Sequence, residues 1–215
     1  ISDEGIKYSD IAILCRKRKS FSVLEKILSD YNIPFSIMGG KGFFQRQFVY
    51  DICNYFSFLL DRNNDTALVG ILRSPFYSLS DTEIFEISLQ KGRSFWKKLA
   101  GLSELNGKHN NVVNYLSELL TLSSTLDIVS LLRKILLESD YLAIIASKPD
   151  GEQEIANINK LINLTIGFNA RGFNTPYDYI DFLNDSIEST EDEAQAAISD
   201  DSDSVKIMTY HQAKG

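Results

Sequence analysis

The order of patterns over residues 11–38 constrains this chain more than any other feature. Residues 11–16, Ile-Ala-Ile-Leu-Cys-Arg, form an apolar run ending in charge, the pattern of a strand buried on both faces. Phe21, Leu24, Ile27, Leu28 and Tyr31 then recur on one face of a helix opened by Ser20. Asn32 ends that helix, Pro34 forbids its continuation, and residues 35–38 read as a second short strand. Strand, helix and strand in that order predict a βαβ unit, hence a parallel sheet with a right-handed crossover.

Gly39, Gly40 and Gly42 follow at once, with Phe43 and Phe44 behind them. Their spacing matches neither the dinucleotide fingerprint nor the phosphate loop of nucleoside triphosphatases, so the reading is a tight turn anchored by two core aromatics. Phe48, Ile52, Tyr55, Phe56 and Leu59 then form an amphipathic helix. A shorter one carries Leu68, Ile71 and Leu72 and stops at Arg73-Ser74-Pro75.

From about Ser80 to Ile187 the periods are helical. Ser80 and Glu83 make a capping box, and Ile84 and Ile87 begin a stripe. Phe95, Trp96 and Leu99 mark a further piece, and Val112, Tyr115, Leu116 and Leu119 a helix. Ser124 is expected to cap the next, which carries Leu126, Val129, Leu132, Ile135 and Leu136. Ile155, Ile158, Leu161, Ile162, Thr165 and Phe168 form a longer helix, and Thr175-Pro176 opens the last as N-cap and first-turn proline. No repeat period is present, so the expectation is an all-α insertion and not a solenoid.

The last stretch, residues 205–215, reads Val-Lys-Ile-Met-Thr-Tyr-His-Gln-Ala-Lys-Gly. Its alternation predicts a strand over 205–210 that rejoins the sheet of residues 11–38. A hydroxyl, an imidazole, an amide and an ammonium lie directly behind it, where open α/β sheets place ligand contacts. The chain starts at Ile1 without a methionine and stops at Gly215, so a segment of a longer protein is expected.

Composition narrows the function classes. The net charge of −7 speaks against a free-standing nucleic-acid binder, but its distribution is uneven. Arg16-Lys17-Arg18-Lys19 is a basic run right after a strand, readable as a solvated turn or a phosphate-facing edge. Residues 183–204 hold eight acids and no base, the mark of a solvated connector. Cys15 and Cys53 lie in apolar surroundings and read as free buried thiols, which fits a cytoplasmic protein. No run is long enough to span a membrane, and no signal pattern opens the chain. His109, placed in a polar loop, and His211 are the only histidines, and no cluster has metal-ligand spacing. A cysteine hydrolase would need Cys15 or Cys53 to reach His211. No Walker A sequence occurs, and no catalytic constellation is visible in the chain by itself.

Residues 205–215 resemble motif V of superfamily 1 helicases of the UvrD/Rep and RecB/AddA type. Residues 11–16 and 33–44 are similar to the strand and following segment early in that family's second motor domain. Residues 71–81, Ile-Leu-Arg-Ser-Pro-Phe-Tyr-Ser-Leu-Ser-Asp, look closest to the AddA/RecB branch. The resemblance implies α/β plus all-α architecture, a partial RecA-like parallel α/β domain interrupted by a helical insertion. Residues 1–78 would begin the second motor domain, 79–187 form the accessory insertion, 188–204 the acidic connector and 205–215 the returning strand and start of motif V.

It also implies a parent that couples ATP hydrolysis to movement on single-stranded DNA in recombinational repair, using ATP and Mg2+ and pairing with a nuclease or helicase subunit. Thr209 and His211 would contact DNA phosphates, where hydroxyl and imidazole donate regardless of base. Arg16, Gln212, Lys214 and Gly215 would line the path to the nucleotide. Departures accompany the match. Walker A, Walker B and the later arginine motif are absent, so this piece is expected to bind no ATP and hydrolyse none. The glycine-rich turn by which UvrD-like accessory domains grip duplex DNA has no counterpart over residues 75–81. From the residues alone the competing reading is an all-α protein-interaction module on an α/β stub.

Overall fold

A computed structural model describes residues 5–38, 42–103, 107–172, 175–189, 193–196 and 203–214. Backbone contacts divide the chain into two compact units. The sheet unit comprises Ile1–Arg46, Leu142–Leu161 and Ser189–Gly215, and the helical unit Gln47–Tyr141 and Ile162–Glu188.

In the sheet unit, β1 (Ala12–Cys15), α1 (Phe21–Asp30) and β2 (Phe35–Ile37) follow in the predicted order. The expected strand at the end is β3 (Val205–Thr209), one residue shorter than its pattern. It lies between the other two, in the order β1-β3-β2, and pairs with both in parallel. Ala12 faces Lys206 and Cys15 faces Thr209 on one side, while Phe35 faces Val205 on the other. Phe21, Leu28, Phe35, Ile37, Val205 and Ile207 close one apolar core, with Leu24 packed against it.

Two local expectations change here. The strand expected to be buried on both faces is an edge strand covered on one face: Ile13 and Cys15 meet the core, while Ala12 and Leu14, on the opposite face, are exposed, Leu14 by 56%. Ile27 on α1 and Tyr31 at its end, read on the apolar face of the helix, are exposed. Asn32 takes the left-handed φ of 52° that ends the helix, a conformation asparagine tolerates better than most residues.

Gly42 has φ of 80°, the conformation a tight turn asks of glycine. Gly39, Gly40 and Lys41 lie outside the described residues. Phe43 and Phe44 are buried edge-to-face, at 4.9 Å between ring centroids. Arg46 follows, and its guanidinium gathers three carboxylates. Nε donates to Glu154 at 2.6 Å, Nη2 to Asp150 at 2.9 Å, and Nη1 lies 3.6 Å from Glu25. Burial lowers the Arg46 pKa, but the carboxylates, Glu154 foremost, outweigh it and hold the group above its usual range.

Residues 151–161 of α9 (Gly151–Asn169) also belong to this unit. A β-carbon at Gly151 would lie 2.6 Å from the backbone carbonyl oxygens of Ile145 and Ala146, so only glycine fits that turn. The acidic stretch read as a solvated connector is docked over residues 193–196. The Ala196 amide donates to Asn157 Oδ1 at 2.8 Å, and Gln153 Nε2 donates to the Ala196 carbonyl at 2.9 Å. Asn157 Nδ2 reaches Gln195 Oε1 at 3.2 Å. Lys160 binds Glu193, donates to the Ala194 carbonyl at 2.6 Å, and stands 4.9 Å over the Phe43 ring. Buried amides matched to backbone groups overrode the solvation that charge composition suggests.

The helical unit begins with α2 (Gln47–Leu60) and α3 (Asp65–Arg73), which pack on each other through the apolar residues that set their periods. It continues with α4 (Asp81–Ser88), α5 (Phe95–Ser103), α6 (Gly107–Leu122) and α7 (Ile128–Leu137). The six-residue α8 (Tyr141–Ala146), which past Tyr141 belongs to the sheet unit, has no counterpart in the sequence reading, being too short to establish a period. α10 (Pro176–Glu188) opens as expected, with Thr175 and Asp178 bonded reciprocally. The Ser80–Glu83 capping box also forms as read. His109 is not in a loop: it lies in α6, 3% exposed, and neither ring nitrogen has a hydrogen-bond partner among the described residues.

Ser124 does not cap α7. Its hydroxyl donates to the Thr121 carbonyl, while Asp127 accepts from the amides of Val129 and Ser130. The side-chain hydrogen bond from Ser130, with the backbone ones, holds the Asp127 carboxyl below its usual range. Asp127→Ala is therefore expected to cost ~1 kcal/mol in a thermal melt. Ser124→Ala should leave Tm where it is, and the opposite ranking would return the cap to Ser124.

Candidate nucleic-acid interface

The residues singled out in the sequence gather at one edge of the sheet. In a parallel sheet all strands end on the same side, so the residues after β1, β2 and β3 leave together. Cys15 pairs with Thr209, and the Tyr210 amide donates to the Cys15 carbonyl at 3.2 Å. Arg16 and Tyr210-His211 thus emerge from adjacent strand ends. The Met38 amide donates to the Ile207 carbonyl at 2.9 Å, which brings the end of β2 to the same edge.

Along β3, Val205, Ile207 and Thr209 point inward while Lys206 and Met208 are half-buried. Thr209 is 8% exposed, whereas His211 is exposed, with its ring 3.8 Å from that of Tyr210. Tyr210 limits the rotamers open to the imidazole without covering it. The chain then turns as a short 3-10 segment, Gln212–Lys214, with the Lys214 amide donating to the His211 carbonyl at 3.3 Å. Lys214 and Arg16 are exposed. Gly215 lies outside the described residues.

The run after β1 gains meaning from this placement. Lys17 and Lys19 are exposed and follow Arg16 from the same strand end. The spacing that announced them was a basic run immediately behind a strand, a signal shared with many solvated turns. Only the insertion of β3 beside β1 sets those charges next to the His211–Lys214 turn.

Neither cysteine has the setting of a nucleophile. Cys15 is buried. Cys53 lies on α2, donates to Asn184 Oδ1 at 3.4 Å, and burial pushes its thiol above the usual range, the reverse of activation. Among the described residues no three His, Cys, Asp or Glu side chains are grouped to hold a metal ion.

The profile of the UvrD-like helicase C-terminal domain matches residues 1–215. The chain belongs to the UvrD-like helicase C-terminal domain family. It is 30% identical over 217 residues to the A subunit of an ATP-dependent helicase/nuclease of Lactobacillus acidophilus, covering 98% of this chain and 18% of that protein. A protein of the same name in Lactobacillus helveticus is 29% identical over 216 residues, with the same coverage. The exonuclease/helicase subunit RexA of Lactococcus lactis subsp. cremoris is 26% identical over 226 residues, covering 98% of this chain and 19% of that protein. This UvrD-like domain thus spans about a fifth of the length of the relatives it matches. No helix among the described residues is long and apolar enough to cross a membrane.

Proposed function

We propose that this UvrD-like domain is part of the second RecA-like motor domain of an ATP-dependent DNA helicase, and that its sheet edge grips the phosphates of single-stranded DNA. The juxtaposition at the carboxyl edge carries the reading. Arg16, Lys17 and Lys19 leave β1 where His211 and Lys214 leave β3, giving a chain of net negative charge one cationic lip. Phosphate contacts of that kind hold a strand without reading its bases. In this proposal His211 donates to a phosphate oxygen. Thr209, largely inside the sheet, acts at the strand's last turn. Arg16, Gln212, Lys214 and Gly215 relay the state of the nucleotide.

The open side of β1 supports the larger motor. Parallel sheets are covered on both faces, yet Leu14 on β1, Val23 on α1 and Tyr31 just after it are exposed. Elements of a larger RecA-like domain packed on the open sheet face and against α1 would cover them. Residues 79–187 would then be the accessory insertion, and the acidic stretch 188–204 returns the chain to the motor. ATP and Mg2+ would be held mainly outside this chain, since its sequence has no glycine-rich phosphate loop ending in Lys-Ser/Thr. The relatives are named as subunits, which motivates a partner bearing the nuclease or a second helicase.

The test is the full-length parent, wild type against His211→Ala, in an ATPase assay with and without single-stranded DNA. The variant should keep its basal rate and bind the strand about tenfold more weakly, the worth of one hydrogen bond to a charged group. A parent whose ATPase ignores single-stranded DNA would overturn the helicase reading in favour of an interaction module. Stimulation indifferent to His211→Ala would keep the motor and remove the residue.

A further inference from the structure

The helical unit holds a groove of about 410 Å3 that the motor reading does not use. Phe76 and Tyr77, from the Ser-Pro-Phe-Tyr run after α3, form one wall, and Tyr115 and Asn111 on α6 the other. Glu138 and Asp140, after α7, form the lip. The aromatic wall is rigid. Phe76 stacks on Tyr141 at 4.0 Å, the hydroxyls of Tyr77 and Tyr55 are 2.8 Å apart, and the Tyr115 hydroxyl donates to the Lys134 carbonyl at 3.0 Å.

The lip is negative. Lys134 lies 2.9 Å from Glu118 and 2.5 Å from Glu138, so one ammonium is shared by two carboxylates. Asp140 is exposed and has no ion-pair partner among the described residues. Burial holds the Tyr77 and Tyr115 phenols above their usual range, Tyr115 at about 12, so neither loses its proton at neutral pH. Among the described residues, no basic side chain lines the groove.

We infer that this groove receives a basic side chain, an arginine in particular, from a partner polypeptide. A guanidinium is planar and weakly hydrated; it stacks on aromatic faces and forks onto carboxylates. Its aliphatic stem would lie along Phe76 and Tyr77, with the head at Asp140 and Glu138. Nucleic acid is the wrong ligand, since among the described residues the carboxylates at the lip outnumber the one ammonium they share, and that excess repels phosphate. The site therefore differs in chemistry from the cationic sheet edge, and it stands whether or not the helicase reading holds.

The test titrates the 215-residue chain with acetyl-Gly-Arg-Gly-amide while the tyrosine ring signals are followed by NMR. The matched peptide with citrulline has nearly the same shape and no charge. The arginine peptide should shift Tyr77 and Tyr115 saturably, with Kd of about 1 mM, a level typical of a single side chain without its surrounding interface. Citrulline should bind roughly tenfold more weakly. Asp140→Asn, which preserves side-chain shape at an exposed position, should weaken the arginine peptide about fivefold and leave the unliganded spectrum intact. Absence of a saturable shift, equal binding of citrulline, or indifference to Asp140→Asn would each overturn the assignment. Displacement of the same signals by deca-thymidylate would reassign the groove to nucleic acid and overturn it as well.

Discussion

Arg46→Met is expected to cost ~3 kcal/mol of unfolding free energy, the low end for breaking a largely buried ion pair because the side chain keeps 18% of its exposure. The methionine fills most of the volume, so the loss is electrostatic. Glu154 would be left 9% exposed without its ion-pair partner, with Asp150 and Glu25 near it and only the weaker pull of Lys148 to offset them. Urea denaturation checks the size, and an unchanged m-value would show that the native state stays compact.

The pH dependence identifies the group responsible. Burial raises the Glu154 carboxyl above its ordinary value of 4.5, and the Arg46 guanidinium draws it partly back. A carboxyl raised by folding contributes stability below its unfolded value and loses that contribution as pH rises through its folded value. Removing Arg46 removes the downward pull and widens the gap. The deficit of Arg46→Met should therefore be smallest at and below pH 4.5 and grow as the pH rises above it. Glu154→Gln in the same background should recover part of the loss at neutral pH. A deficit that is flat with pH, or unrelieved by Glu154→Gln, would show that lost packing is the cause.

The second large effect is expected at Asn157, which is fully buried. Its amide receives the Ala196 N–H and holds Gln195, and Gln153 beside it takes the Ala196 carbonyl. Asn157→Ala strands these groups and should cost ~2 to 3 kcal/mol. Its local effect is more diagnostic. Residues 195 and 196 would lose the Asn157 contacts that help hold the stretch on α9, loosening the peptide bond after Glu193 for a glutamyl endopeptidase. Cleavage there is expected to accelerate about tenfold under native conditions, because proteolysis follows local opening. Lys160 still binds Glu193 in the variant, so the gain stays below that of a fully released segment. Unchanged cleavage would mean that Lys160 and the Phe43 amide hold the stretch without the amides.

Local patterns in the sequence determined most of the elements. The periods of α2, α3, α9 and α10 repeat over several turns, and the Ser80–Glu83 and Thr175–Asp178 caps each satisfy backbone groups within four residues. The parallel sheet was legible for the same reason, since a strand, an amphipathic helix and a strand leave little topological choice. The motif behind β3 was legible because its residues are contiguous. The cap of α7 was misread because Ser124 and Asp127 both suit the role, and only the helix start selects between them.

Other features were decided by residues far apart in the chain. Whether β1 is covered on one face or on both depends on what packs against the sheet, and Leu14 is apolar in either case. The acidic stretch looks solvated from its charge, but Gln153, Asn157 and Lys160 meet it across more than thirty residues. Arg46 finds Asp150 and Glu154 across more than a hundred. The basic run after β1 and the turn after β3 are separated by most of the chain. Each is an ordinary polar segment by itself. Parallel pairing of β1 with β3 puts them on one edge, because strands that run the same way must end on the same side.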